Sequence, residues 1–263
     1  MTKVVLKSVF PTIQGEGIHT GAPAVFVRFA GCNVKCSWCD TDWKNGKAVE
    51  IGDLVAHVVS LCGEYNIKHV VITGGEPLDQ VNLLAFVEEL STVGRYLIEV
   101  ISFETSCRGL NVKTKKALAT FSENIHRIAF TNQKQDSEET INYHFTFSPK
   151  ILQSETFNLI DNDPITDRLD DLQVAYNLSA DLIKVPSCTF EYKLVIENQE
   201  AFDKLLKIED HLSWKSNVIR YSLMIEDSFN SVADVQTSVL MLNKHSYQTW
   251  YVSPRLHKQI NVE

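Results

Sequence analysis

Ala24-Val25-Phe26-Val27-Arg28-Phe29 leads through Ala30 into Gly31-Cys32-Asn33-Val34-Lys35-Cys36-Ser37-Trp38-Cys39-Asp40-Thr41, where three cysteines stand at C-x3-C-x2-C spacing. The first run is rich in β-branched and aromatic residues and reads as a strand that ends at the cysteine loop. Three thiolates occupy three corners of a four-iron, four-sulfur cluster and leave one iron open to bind and activate a small molecule. Structural zinc asks instead for four ligands in paired knuckles. No second knuckle follows, because His57 and Cys62 fall on the face of an apolar helix. The spacing favours a redox cluster over structural zinc.

Working outward, strand and helix signals alternate. Asp53 reads as the cap of a helix carrying Leu54, Val55, Val58 and Leu61. His69-Val70-Val71-Ile72-Thr73 reads as a buried strand closed by Gly74-Gly75-Glu76-Pro77, with Pro77 opening the next helix and Leu83, Phe86, Val87 and Leu90 forming its stripe. Residues 96–103 return as a strand that reaches Glu104. Further strands are expected over 4–10, 145–147, 192–196, 218–224 and 249–252, and further helices over 199–208 and 231–244. This order predicts an α/β fold built as an open, partial βα barrel. Ligands in such folds collect where parallel strands end. The cysteine loop, the Gly74-Gly75 turn and Glu104 all fall at such ends, and paired glycines can offer backbone groups to a ligand that a side chain would block.

Composition fits an enzyme of this kind. The 263 residues are 44% hydrophobic and 22% charged, and the chain reads as a single domain over 1–263 with insertions near 108–145 and 155–190. A net charge of −8 lacks the basic footprint that neutralises phosphates, so no direct nucleic-acid partner is expected. Neither a membrane-length apolar run nor a signal-length one at the N-terminus is present, which gives the expectation of a cytoplasmic protein with no membrane partner. Cys62, Cys107 and Cys188 read as reduced packing thiols.

Cys32, Cys36 and Cys39, taken with Thr73-Gly74-Gly75-Glu76-Pro77, resemble the radical S-adenosylmethionine superfamily. More specifically, the chain resembles the 7-carboxy-7-deazaguanine synthase family. The residues carrying that resemblance are Ile13-Gln14-Gly15-Glu16-Gly17, Phe26-Val27-Arg28, Gly31-Cys32-Asn33, Trp38-Cys39-Asp40-Thr41, Glu104-Thr105-Ser106, Ser148-Pro149-Lys150 and Leu256-His257-Lys258, in family order from end to end.

The resemblance implies that Cys32, Cys36 and Cys39 hold a [4Fe-4S] cluster whose open iron is chelated by S-adenosyl-L-methionine. It implies that Trp38, Cys39, Asp40, Gly75, Ser148, Pro149 and Lys150 contact that cofactor, and that Thr41 is a Mg2+ ligand beside substrate oxygens and water. Ile13, Gln14, Gly15, Arg28 and Thr73 are the implied substrate contacts. The family substrate is 6-carboxy-5,6,7,8-tetrahydropterin; Arg28 suits its carboxylate and Gln14 its ring. The implied reaction is that of a carbon–nitrogen lyase: a 5′-deoxyadenosyl radical takes hydrogen from the carbon bearing the carboxylate, the ring contracts, and ammonia leaves. An electron donor such as flavodoxin and a homodimer are also implied.

Two departures stand out. Cys107 occupies a place where the family usually has glycine, which implies a strained backbone there. Residues 133–140 and 161–171 read as exposed polar excursions, and the terminal Glu263 has an open role. Two rivals share the motifs: a glycyl-radical-enzyme activase, and a noncatalytic interaction protein on the same fold. Gln14-Gly15-Glu16-Gly17 argues against the first, and the retained cysteines argue against the second.

Overall fold

The computed structural model describes residues 2–34, 36, 39–112, 114–132, 140–150, 166–185, 187–196, 198–212, 220–225, 239–240, 242–244, 249–253 and 255–260. Its core is a nine-stranded sheet in the order β3-β1-β2-β4-β5-β6-β7-β8-β9. The strands are β1 Lys3–Ile13, β2 Pro23–Phe29, β3 Lys47–Glu50, β4 His69–Gly74, β5 Val100–Thr105, β6 Asn142–Phe147, β7 Cys188–Ile196, β8 Arg220–Ile225 and β9 Trp250–Ser253. From β2 through β9 every neighbouring pair is parallel. The β1–β2 and β1–β3 pairs are antiparallel. The sheet runs from edge to edge without closing, so the expected open α/β barrel is the fold of the chain.

Helices α1 Ile51–Tyr65, α2 Leu83–Val93, α3 Lys115–Thr131, α4 Thr166–Leu182 and α5 Gln199–Leu212 connect the parallel strands. Several elements differ from the sequence expectation for local reasons. Helix α1 starts before Asp53, which lies in its first turn, with Glu50 as the capping residue. Pro77 opens a short 3-10 turn, Pro77–Asp79, and α2 begins only at Leu83. Residues 96–99 form a turn, because the Leu97 and Ile98 N–H groups both bond to the Gly94 carbonyl. β5 therefore starts at Val100. Neither β3 nor α3 was foreseen. The latter begins at a Thr114 cap accepting from the Ala117 N–H at 3.1 Å and buries Leu118, Phe121, Ile125 and Ile128 at helical spacing. The excursion expected over 161–171 becomes α4 from Thr166 onward. The expected polar loop at 133–139 lies outside the described residues, as does most of the helix expected over 231–244.

Parallel register turns the period-2 pattern of the strands into two chemically different faces. On one face Phe103, Phe145 and Phe190 pair in a row, as do Phe147, Tyr192, Tyr221 and Trp250. Their rings stack at centroid distances such as 4.6 Å for Phe103–Phe145 and 5.7 Å for Tyr192–Tyr221. Helix α3 seals this ladder through Phe121 against Phe145. Burying each such ring contributes about 1.5–3 kcal/mol. The alternate residues, Ser102, Glu104, His144, Thr146, Glu191, Lys193 and Ser222, form the other face, a polar barrel interior with no counterpart in a purely structural α/β core.

Toward the strand beginnings this interior is filled by three histidines. His19, from the short turn Gly17–His19, stacks against His69 and His144 at 4.8 and 4.9 Å between centroids. His69 shares a 2.7 Å hydrogen bond with Ser102, and burial drives its pKa down to about 3, with His19 and His144 adding to the effect. The folded chain thus holds His69 neutral, whereas the unfolded chain protonates it below about pH 6.5. Stability is lost as pH falls from there toward the folded value. At pH 5 the difference is about 1.5 pH units times 1.36 kcal/mol, or about 2 kcal/mol. Unfolding free energies at pH 7 and 5 will show His69→Gln losing about 2 kcal/mol less than the parent. Equal losses would refute the account of this cluster.

Candidate active site

A cavity opens at the ends of the parallel strands, and nearly every residue singled out in the sequence faces it. Cys32, Cys36, Cys39, Asp40 and Thr41 come from the loop after β2, and Thr73 and Gly75 from the end of β4. Ile13, Gln14 and Gly15 enter from the end of β1, Arg28 from β2, and Ser148 and Lys150 from the segment after β6. Pro149 is buried but does not form the wall. Trp38 and Glu263 lie outside the described residues.

The Gly74-Gly75 turn lets two loops lie against each other. Gly75 N–H donates to Phe29 O at 3.0 Å, and Glu76 N–H donates to Gly31 O at 2.9 Å. A Cβ at position 75 would sit 1.7 Å from Gly31 O and 3.0 Å from the Cys32 Cβ, so only glycine allows this approach. The turn is pinned from below by Glu76, which is 1% exposed. Its carboxylate accepts from Leu78 N–H at 3.0 Å, Thr105 Oγ1 at 2.6 Å, Ser106 N–H at 2.8 Å and Ser106 Oγ at 2.5 Å. Burial pushes this carboxyl up, and the four donors work against that. The adjoining Cys107 takes φ of 67°, the strained left-handed conformation expected where a cysteine stands in place of glycine. Its N–H bonds to Thr105 Oγ1 at 3.0 Å, which helps hold it.

The cysteine loop fits an iron–sulfur cluster. All three cysteines stand outside disulfides and share the cavity, whereas Cys62, Cys107 and Cys188 are buried elsewhere. The Val34 N–H lies 3.4 Å from Cys32 Sγ, a contact that favours a thiolate. Burial, with smaller contributions from Glu76 and the two other sulfurs, nevertheless pushes the Cys32 thiol up to about 12. Cys32 is therefore a neutral thiol until a cation binds, and a coordinating metal removes that proton.

On the opposite wall stands a charged group that the sequence reading overlooked. Lys193 Nζ bridges Glu16 Oε2 at 2.7 Å and Glu104 Oε2 at 2.8 Å, and Gln14 Nε2 donates to Glu104 Oε1 at 3.2 Å. Burial pulls Lys193 down, but the two carboxylates outweigh it and keep the ammonium charged. Glu191, one layer deeper, anchors the Gly17–His19 turn by accepting from Ile18 N–H at 3.0 Å. The signal for both residues was present: in Phe190-Glu191-Tyr192-Lys193-Leu194 two charges alternate with apolar residues in a buried strand. Arg28 lies inside the cavity rather than on the surface, its guanidinium 4.9 Å from the Phe10 ring centre.

The short helix Leu256–Gln259 borders the cavity, with His257 in its lining. Leu256 N–H donates to Gly15 O at 2.9 Å, and His257 lies against Gly15. His257 Nε2 is 3.7 Å from Asp40 Oδ2, and Arg255 Nη1 is 4.0 Å from it. His257 foremost, with the charges of Lys258 and Arg255 and against burial, holds Asp40 down to about 2. Potential ligand atoms of Glu16, Asp40 and His257 lie within 4.8 Å of one another, beside Thr41. Among the described residues no helix is long and apolar enough to cross a membrane.

A three-cysteine loop lying against a glycine turn at the strand ends of a partial barrel defines a class. The model of the Radical SAM superfamily matches residues 26–161, and the chain belongs to that superfamily. The cofactors of that superfamily are a [4Fe-4S] cluster and S-adenosyl-L-methionine. Within the class, the chain is 40% identical over 92 residues to 7-carboxy-7-deazaguanine synthase of Bacteroides thetaiotaomicron, covering 35% of this chain and 48% of that protein. It is 43% identical over 83 residues to the enzyme of the same name from Rickettsia prowazekii, covering 30% of this chain and 36% of that protein. The matches thus span less than half the length of either relative. The fold is similar to the crystal structure of QueE from Escherichia coli, with TM-score 0.58 and 20% identity over 95% of this chain and 93% of the other.

Proposed function

We propose that this chain converts 6-carboxy-5,6,7,8-tetrahydropterin to 7-carboxy-7-deazaguanine with loss of ammonia, a carbon–nitrogen lyase reaction of queuosine-type 7-deazapurine biosynthesis. One observation supports the reading: an arginine, Arg28, and an amide–carboxylate wall share the cavity with the three cysteines. When bound, the cluster and S-adenosyl-L-methionine supply the electron and the 5′-deoxyadenosyl radical that open the reaction.

The remaining tasks belong to the protein. Gly75 meets the methionine amino group through its backbone, Asp40 and Trp38 flank the last cluster ligand, and Ser148 and Lys150, set on either side of the buried Pro149, take the nucleoside side. Arg28 grips the substrate carboxylate in a two-pronged, charge-assisted bond and so fixes which carbon faces the cofactor. Gln14, with the backbone of Ile13 and Gly15, reads the ring, and Thr73 completes that wall. Thr41 contributes one oxygen to Mg2+, the substrate and water supplying the others; the acidic Glu16 and Asp40 nearby favour a cation there. The wall packed from β1, β4, β5 and β7 excludes water from the reacting carbon. A small reductant such as flavodoxin, a homodimer and a cytoplasmic setting complete the proposal.

Arg28→Ala tests it. Losing a charge-assisted partner costs roughly ten- to a hundredfold in pterin use, while S-adenosyl-L-methionine binding stays near the parent value. Anaerobic turnover and cofactor titration measure both. A fall in cofactor binding with unchanged pterin use would contradict the assignment.

A further inference from the structure

Lys193 has no place in the cofactor or substrate contacts set out above, yet the strongest charge arrangement in the cavity centres on it. It is 5% exposed, and its ammonium joins two elements far apart in sequence, Glu16 after β1 and Glu104 at the end of β5. Gln14 continues the chain of contacts, donating to Glu104 and accepting from Glu16 N–H at 3.3 Å. The other charged or titratable groups that act on this cluster are Glu191, from the same strand, Lys150, after β6, and Asp40 and His257, whose ligand atoms lie within 4.8 Å of those of Glu16. One ammonium between two carboxylates leaves the wall with a surplus of acceptor oxygens and one net negative charge. That suits a planar ring edge bearing amide and guanidine-like N–H groups.

We propose that Lys193 is a positioning residue, which holds Glu16 and Glu104 as a paired set of carboxylate acceptors aimed at the N–H edge of the substrate ring. The identity of the ring rests on the proposed pterin reaction; the pairing of the carboxylates does not. Without the ammonium, two largely enclosed carboxylates within reach of one former nitrogen position repel each other, and one of the pair takes up a proton at a higher pH than in the parent. A protonated carboxyl presents a donor where the ring also presents donors, so substrate binding then weakens as pH falls.

The experiment has two readouts on anaerobically reconstituted protein. Infrared difference spectra between about pH 6 and 8.5 will show a titrating protonated-carboxyl band in Lys193→Met. The band is absent from the parent and from Lys193→Arg, and is lost in Lys193→Met/Glu104→Gln. A folded Lys193→Met without the band overturns the proposal. If Lys193→Met does not fold, Lys193→Met/Glu16→Gln, which removes the like-charge pair, folds; a double variant no better folded than the single one also overturns it. In turnover assays, the KM of Lys193→Met for the carboxytetrahydropterin rises about tenfold or more at the acid end and recovers toward the alkaline end. Lys193→Arg stays within a few-fold of the parent, with a flat profile. A pH-independent loss of kcat with unchanged KM would mark a merely structural lysine and reject the proposal. A band in Lys193→Met together with a parent protein that fails to bind the pterin upholds the carboxylate pairing and rejects the ring assignment alone.

Discussion

Alanine at any one of Cys32, Cys36 and Cys39 will lower the iron content of the anaerobically reconstituted protein from about four per chain to near zero. The reason lies in the ligand count. The cavity wall offers three thiols and no fourth, so the loss of one leaves two corners of the cluster without protein ligands. No nearby cysteine can substitute, because Cys107 is 2% exposed on a strained turn outside the wall and Cys62 is 1% exposed on the buried face of α1. Cys62→Ala will keep its iron. Iron and sulfide analysis beside the visible absorption of the cluster measures both results. A normal cluster in any one of the three loop variants would remove the basis of the site.

Glu76→Ala will destabilise the chain by about 3–5 kcal/mol. Four donors converge on that carboxylate, two of them backbone N–H groups fixed by the turn and by the end of β5. Alanine orphans all four in a site that water does not reach. Glu76→Gln keeps the shape but sets an amide N–H2 against one pair of donors, so it will lose less, about 1–3 kcal/mol. Because the same carboxylate ties the Gly74-Gly75 turn to Ser106, the alanine variant will also bind S-adenosyl-L-methionine more weakly. Urea unfolding of the three proteins measures the order. An alanine variant within about 1 kcal/mol of the parent would show that the network is not a support of the turn.

How much of this could be read from the sequence depends on where each signal resides. The cysteine spacing and the Gly-Gly turn are local, and both arrived where expected because a loop chemistry needs few partners to declare itself. Arg28 was ambiguous within its strand; the hairpin with β1, which brings Phe10 under the guanidinium, places it in the cavity. Helix α3 carried a clear stripe at Leu118, Phe121, Ile125 and Ile128, but the neighbouring polar run drew the whole segment into a single insertion. Strand β3 is four residues long and owes its existence to pairing with Lys3 through Leu6, a partner no local window contains. Lys193 and Glu191 required the register across β5, β6 and β7, since only that register shows a charge on the inner face meeting Glu16 and Glu104. The strain at Cys107 was legible from a single substitution, and the φ of 67° bears it out.

The most direct measurement follows hydrogen from substrate to cofactor product. The anaerobic protein is given S-adenosyl-L-methionine, Mg2+, a reductant and 6-carboxy-5,6,7,8-tetrahydropterin carrying deuterium on the carbon that bears the carboxylate. The account predicts 7-carboxy-7-deazaguanine as product and deuterium recovered in 5′-deoxyadenosine. Cleavage of S-adenosyl-L-methionine with the pterin returned unchanged, or with no deuterium in the 5′-deoxyadenosine, would contradict it.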